Sequence, residues 1–166
     1  MILFHASTIH YKTGSRLIAQ ERSVDRFNAE FENKLASHAP DGLGDRISSV
    51  FATEIAALAA RYLEAEGVGQ GSLYLYEVEA ESKSQHPMAL IDIAAKRINT
   101  EGFQRIALEY WAPKRQWRAW EHLCNRGEIL RELSWPSLVE RSVAFEHYRL
   151  DISEATSIYC PSAGAG

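Results

Sequence analysis

Cysteine is scarce in this chain of 166 residues, which contains only Cys124 and Cys160. The two lie far apart, and no Cys-x-x-Cys pair is present. This pattern excludes a disulfide framework and is typical of a reducing compartment. A zinc site would need closely spaced Cys and His ligands, and His122 with Cys124 is a pair without partners, so no metal is expected.

The chain also lacks an excess of positive charge and any long hydrophobic run. Its 18 Lys and Arg against 22 Asp and Glu give a formal net charge of −4, which provides no general attraction to nucleic acid or anionic membrane. No stretch approaches the ~18 apolar residues of a membrane span, and no secretory signal precedes the first strand. We expect a cytoplasmic protein, with delivery into a host or target cell left open.

Composition is otherwise ordinary, with 46% hydrophobic and 24% charged residues. Such a balance excludes a disordered or fibrous chain, and the length suits a single hydrophobic core. No internal repeat is present. We predict one domain over 1–160 and a short, frayed Ser/Ala/Gly tail at 161–166.

Apolar periodicity and turn residues predict the order β-α-β-α-β-α-α-β-β-α. The predicted strands are 2–7, 48–53, 72–78, 119–125 and 128–133, the last two forming a hairpin around Arg126-Gly127. The predicted helices are 24–38, 54–66, 88–98, 102–111 and 137–149. Helices alternate with strands that are distant in sequence, which favours the α+β class.

Common nucleotide-binding and nucleophile motifs are missing. Gly42-Leu43-Gly44 lacks the third glycine and the preceding strand of a dinucleotide fingerprint. The chain has no Gly-x-x-x-x-Gly-Lys loop and no Gly-x-Ser-x-Gly elbow. A Rossmann dehydrogenase, a P-loop enzyme and an α/β-hydrolase are therefore excluded.

Three short segments concentrate the residues of chemical interest. They are Ile2-Leu3-Phe4-His5-Ala6-Ser7-Thr8, Ser48-Ser49-Val50-Phe51-Ala52-Thr53 and Ala119-Trp120-Glu121-His122-Leu123-Cys124. In order, spacing and residue type they resemble the NAD-dependent ADP-ribosyltransferase superfamily. The resemblance implies an ADP-ribosyltransferase-like fold in which split, mixed β-sheets form a cleft for NAD, the substrate.

The resemblance implies two catalytic residues, Glu121 and His5, of which Glu121 is the carboxylate. Breaking the bond between nicotinamide and ribose passes through an oxocarbenium-like sugar, which a carboxylate stabilises. Tyr110-Trp111 and the loop that follows it stand before Glu121 as they do in the family. An edge-strand carboxylate that meets an arginine is the structural alternative. Glu109 is the second choice, although helical spacing predicts a solvated side chain there.

The resemblance also implies an NAD-binding set. His5 would bind a ribose hydroxyl, and Phe51, which stands where a tyrosine is common, would stack on nicotinamide without a hydrogen bond. The other members are Ala6 and Ser7 for the nicotinamide amide, Arg46 for the pyrophosphate, Ser49 and Thr53 for polar contacts, and Tyr62 for a second stacking face. Structural interpretations stay open for His5 as a strand-end residue, Thr53 as a helix cap and Tyr62 as core.

One stretch, 111–120, combines positive charge with aromatic residues in an otherwise acidic chain. By the resemblance it occupies the place of a target-recognition loop. Lys114, Arg115, Trp117 and Arg118 would suit an acidic protein or a nucleic acid. The alternative is that the tryptophans are core anchors and the charges point to water.

The expected function is NAD-dependent transfer of ADP-ribose to a macromolecule with release of nicotinamide, in a toxin, phage modifier or effector. Two enzymatic alternatives are an NAD hydrolase and an NAD-dependent RNA 2′-phosphotransferase. A non-catalytic binding or inhibitor protein on the same scaffold is the alternative from a different class.

Overall fold

A computed structural model describes residues 1–19, 28–41, 46–65 and 72–161. Its strands are β1 (Ile2–Ser7), β2 (Arg16–Leu17), β3 (Val50–Ala52), β4 (Tyr74–Pro87) and β5 (Trp120–Leu133). Its helices are α1 (Ala29–Ala36), α2 (Ala56–Ala65), α3 (Met88–Lys96), α4 (Phe103–Trp111) and α5 (Leu138–Tyr159). The α+β prediction is confirmed.

Strand β5 lies inside the sheet. One edge pairs with β4 from Trp120 to Leu133, and the other pairs first with β3 and then with β2. Strand β1 pairs with the outer edge of β4, and every pairing is antiparallel. Within the described ranges the strands form one antiparallel sheet, so the predicted split, mixed sheets are wrong.

The predicted hairpin at Arg126-Gly127 is also wrong, because β5 continues through it. Gly127 lies opposite Ala80 on one side and Leu17 on the other. A Cβ at this position would lie 3.5 Å from Leu17 Cδ1, so the leucine packs over the bare backbone. A glycine that suits a turn serves here as a close-packing position with both edges paired.

The sheet curls until β1 meets the chain just beyond β3. Phe4 N donates to the Thr53 carbonyl at 2.8 Å, and Thr53 N donates to the Phe4 carbonyl at 2.9 Å. Two apolar clusters pack on opposite faces. The inner-face cluster includes Leu3, Ala52, Tyr76 and Cys124. The helix-covered cluster includes Phe31, Leu90, Ile106, Tyr110 and Leu123.

Helix ends depart from the sequence prediction in two places. Helix α1 begins after Asn28, whose side chain accepts a hydrogen bond from Phe31 N, so a continuous helix from 24 is wrong; 24–27 lie outside the described residues. Helix α5 begins at a capping box of Ser137 and Glu140 and runs to Tyr159, ten positions past its predicted end. No helix in the described ranges is both long and apolar enough to cross a membrane.

Candidate functional site

The curled sheet brings the three sequence segments together. Phe51 pairs with Leu123 and Ala52 with His122, which joins the second segment to the third. The bridge between Phe4 and Thr53 joins the first segment to the second. Residues far apart in sequence therefore meet along neighbouring strands.

The side chains of His5 and Glu121 nevertheless lie on opposite faces of the sheet. Directly opposed residues on paired strands share a face. His5 is opposite Tyr76, a member of the inner-face cluster. Glu121 is opposite His86, and it alternates with Leu123 of the helix-covered cluster. The structure does not bring the two proposed catalytic side chains onto one face.

Glu121 belongs to a buried cluster that we call the carboxylate–arginine cluster, formed by Glu32, Arg46, Phe51, Tyr110 and Glu121. Only 3% of Glu121 is exposed, and its Oε1 accepts hydrogen bonds from Arg46 Nη1 and from the Tyr110 hydroxyl. In the described part of the chain, its Oε2 has no hydrogen bond. The alternative interpretation, a carboxylate that meets an arginine, is what the structure contains.

Arg46 is shared between two carboxylates. Its Nε lies 3.2 Å from Glu32 Oε2, and its guanidinium carbon lies 4.7 Å from the centre of the Phe51 ring. Burial alone would lower the pKa of Arg46, but the charges of Glu121 and Glu32 outweigh burial and hold the pKa well above its usual value. Arg46 is thus placed to hold Glu121, and its role in pyrophosphate binding stays a prediction.

His86 extends this cluster, and the sequence analysis gave it no role. Its Nδ1 donates to the Tyr110 carbonyl at 2.8 Å, and its ring stacks on the Tyr110 ring with centroids 4.6 Å apart. Burial lowers the pKa of His86. Glu32 was missed as well. Each lies among other polar residues in the sequence, and only the fold reveals its partners.

His5 presents one ring nitrogen for recognition. Its Nδ1 lies 2.8 Å from the carbonyl oxygen of Phe51. A carbonyl can only accept, so Nδ1 carries the proton. Burial lowers the pKa of His5, which keeps the ring neutral at pH 7 and leaves Nε2 with an open lone pair. Among the described residues Nε2 has no partner, and it can accept a hydrogen bond from a hydroxyl.

A second polar group lies on the face of His5. His122, opposite Ala52 of the inner-face cluster, has Nδ1 2.9 Å from Ser82 Oγ and Nε2 3.3 Å from Glu54 Oε1. His122 is buried, whereas the Glu54 side chain is 56% exposed. None of these three residues has a role predicted from the sequence. Glu54 directly follows the second segment, and that position was the available signal.

The remaining NAD-set residues have structural partners. Thr53 Oγ1 accepts from Ile55 N at 3.2 Å in the turn before α2. The first helical hydrogen bonds of α2 go to the Ile55 carbonyl, so Ile55 and not Thr53 occupies the cap position. Tyr62 packs edge-on against Tyr148, with centroids 6.0 Å apart, in the core between α2 and α5. Ser7 Oγ accepts from Ile9 N at 3.0 Å. Ala6 is half-buried and Ser49 is buried.

The prediction that Glu109 is solvated is wrong. Only 9% of it is exposed, and its Oε1 accepts hydrogen bonds from Lys114 N, Arg115 N and Trp117 Nε1. The loop after α4 folds back over the helix end and makes these bonds. Glu109 therefore fixes the loop, and it is a poor candidate for catalysis.

The same loop is less basic than its sequence implies. Trp117 is buried, as the core-anchor alternative predicts. Arg118 Nη1 lies 3.0 Å from Asp151 Oδ1 and 3.1 Å from Glu154 Oε2. Its charge is thus balanced within the protein, and the loop cations left for a target are Lys114 and Arg115.

A shallow groove of about 440 Å³ lies away from these residues. It runs between the start of α2 and the segment before α5, and Trp135 and Pro136 line it. No residue of the predicted NAD set is among those described as lining it.

No known protein family, curated protein or solved structure matches this chain. The resemblance to ADP-ribosyltransferases therefore depends on the three sequence segments alone and stays a prediction.

Proposed function

We propose that the protein cleaves NAD and transfers ADP-ribose to a macromolecule. The observation that carries the proposal is the His5 imidazole, which has its tautomer fixed and Nε2 open where the three segments meet. A neutral imidazole with an open Nε2 suits a ribose hydroxyl. In the reaction the bond from C1′ to nicotinamide breaks with its electron pair leaving on nicotinamide, and the acceptor then bonds to C1′ and releases a proton.

Glu121 is the carboxylate that the resemblance assigns to this reaction. Arg46 and Tyr110 donate hydrogen bonds to its Oε1 and hold the carboxylate in place. A negative charge fixed in this way can stabilise the cation that develops on the sugar. Its 3% exposure restricts contact with a sugar. This burial is the observation that favours the second candidate function, a binding or inhibitor protein in which Glu121 has a structural role.

Incubation with labelled NAD separates these functions. We expect free nicotinamide from the protein alone and labelled macromolecules when a lysate of a candidate host is added. Nicotinamide without labelled macromolecules would identify a hydrolase. If neither product forms with correctly folded protein, the enzymatic proposal is wrong and a binding protein is indicated.

His5→Ala is expected to weaken NAD binding by about 1–3 kcal/mol, the range for losing a buried hydrogen bond. Isothermal titration calorimetry measures this directly. His10→Ala is the matched control, because His10 is exposed and lies 3.4 Å from Glu132. Equal NAD affinity in wild type and His5→Ala, with folding verified, would contradict the proposed ribose contact.

The double variant Lys114→Ser/Arg115→Ser tests target recognition. Arg118 is not substituted in this variant, because it is already paired with Asp151 and Glu154. We expect labelling of macromolecules to fall and NAD hydrolysis to persist, and wild-type labelling to decline as salt is added. Labelling equal to wild type at every salt concentration would show that the loop is a solvated surface.

A further inference from the structure

We propose that Glu54, whose Oε1 lies 3.3 Å from His122 Nε2, is the carboxylate that stabilises the sugar cation alongside His5. This inference rests on the proposed NAD chemistry. It names a catalytic residue that the resemblance does not supply.

The first argument is that Glu54 and His5 lie on the same face of the sheet. His122 lies opposite Ala52, which packs in the same inner-face cluster as Tyr76, the cross-strand partner of His5. His122 Nε2 reaches Glu54 Oε1 at 3.3 Å, so Glu54 extends toward that same face. Glu121 faces the helices on the other side. A ligand bound to His5 Nε2 would therefore lie on the same side of the sheet as Glu54.

Exposure is the second argument. A carboxylate that stabilises C1′ has to approach the sugar directly. The Glu54 side chain is 56% exposed, while that of Glu121 is 4% exposed and bonded to Arg46 and Tyr110. Glu54 can reach a ligand with no change in the surrounding packing.

The third argument is the orientation of the His122 ring beside Glu54. The Ser82 hydroxyl lies 2.9 Å from His122 Nδ1 and holds the ring with Nε2 3.3 Å from Glu54 Oε1. Irregular register on β4 at Ala80/Ser82 and Ser82/Ser84 accompanies this arrangement, and such bulges often re-aim side chains beside functional sites. A buried histidine thus directs an exposed carboxylate, and His122 is a positioning residue.

The chemical step needs no additional reactant. The C1′–N bond breaks, its electron pair stays on nicotinamide, and the Glu54 carboxylate stabilises the positive charge that develops on the ribose. The acceptor, or water, then forms the new bond to C1′, and its proton passes to solvent.

The test compares Glu54→Gln, Glu121→Gln and the control Glu81→Gln in nicotinamide release at saturating NAD. Glu81 is a surface glutamate of similar exposure, 3.0 Å from Arg126. We expect Glu54→Gln to lower kcat by at least ~10²-fold with NAD affinity and Tm nearly unchanged, and Glu81→Gln to resemble wild type. Histidine NMR should show both His5 and His122 shifting when NAD is added to wild type.

The outcomes distinguish this inference from the proposed function. If wild type cleaves NAD and Glu54→Gln keeps its kcat, the inference is overturned, and a selective loss in Glu121→Gln would return the role to that residue. If NAD shifts the His5 signal and leaves the His122 signal unchanged, the inference is also overturned. If wild type neither binds nor cleaves NAD, the proposed function itself fails.

Discussion

Arg46→Met is expected to destabilise the protein by about 3–5 kcal/mol, the range for removing one partner of a buried ion pair. The variant leaves Glu32 and Glu121 buried without the guanidinium that they share. It also removes the cation that lies over the Phe51 ring. Urea unfolding at pH 7 measures the loss.

Two further variants test whether unpaired buried charge causes the loss of stability. Neutralising both acids as well, in Arg46→Met/Glu32→Gln/Glu121→Gln, should recover much of the stability, because unpaired buried charge is the main penalty. Arg126→Met removes an exposed ion pair with Glu81 and should change stability by about 0–1 kcal/mol. A single Arg46→Met variant as stable as wild type would show that water or local rearrangement satisfies both carboxylates.

Asp151→Ala is expected to destabilise the protein by roughly 2–5 kcal/mol, because it leaves two backbone donors without a partner. Asp151 is fully buried on α5, and its Oδ2 accepts hydrogen bonds from Arg118 N and Ala119 N at 2.9 Å. These bonds attach α5 to the segment that leads into β5. Thermal unfolding followed by circular dichroism measures the effect.

Glu154→Ala is the matched control, since Glu154 contacts the same Arg118 from the surface. We expect only a small change in Tm from this substitution. Comparable losses in the two variants would mean that the guanidinium contact, which both share, matters more than the backbone hydrogen bonds to Asp151.

Local signals predicted the regular elements well. Pro87 and the apolar run after it predict a helix over 88–98, and α3 begins at Met88. The helix predicted at 102–111 corresponds closely to α4. The strand predicted at 2–7 has the bounds of β1.

Elements that depend on distant partners were predicted poorly. Strand β4 continues through the polar stretch 81–85 because β5 pairs with it there, and the sequence of that stretch alone resembles a loop. Helix α5 shows little apolar periodicity, and Val139, Val143 and Leu150 on it are exposed. Its last turns are anchored by buried Asp151 and Ala155, which single-sequence periodicity does not reveal.

In the candidate site too, the sequence indicates residue chemistry but not how distant strands pair. Sequence chemistry identified His5 and Glu121, and pairing of the strands places their segments together. It could not predict the face from which each side chain projects, because a shift of one residue in register reverses the face. Glu54 and His122 become visible as a pair only after Ala52 is placed opposite His122.

The inner position of β5 determines when the sheet can assemble during synthesis. Arg16 pairs with Glu128 and Val50 with Cys124, so β2 and β3 find their partner only after β5 has been synthesised. High contact order of this kind slows folding, and unpaired strand edges are prone to aggregation. Nascent chains that end before Leu133 are expected to stay unfolded on the ribosome and to depend on chaperones.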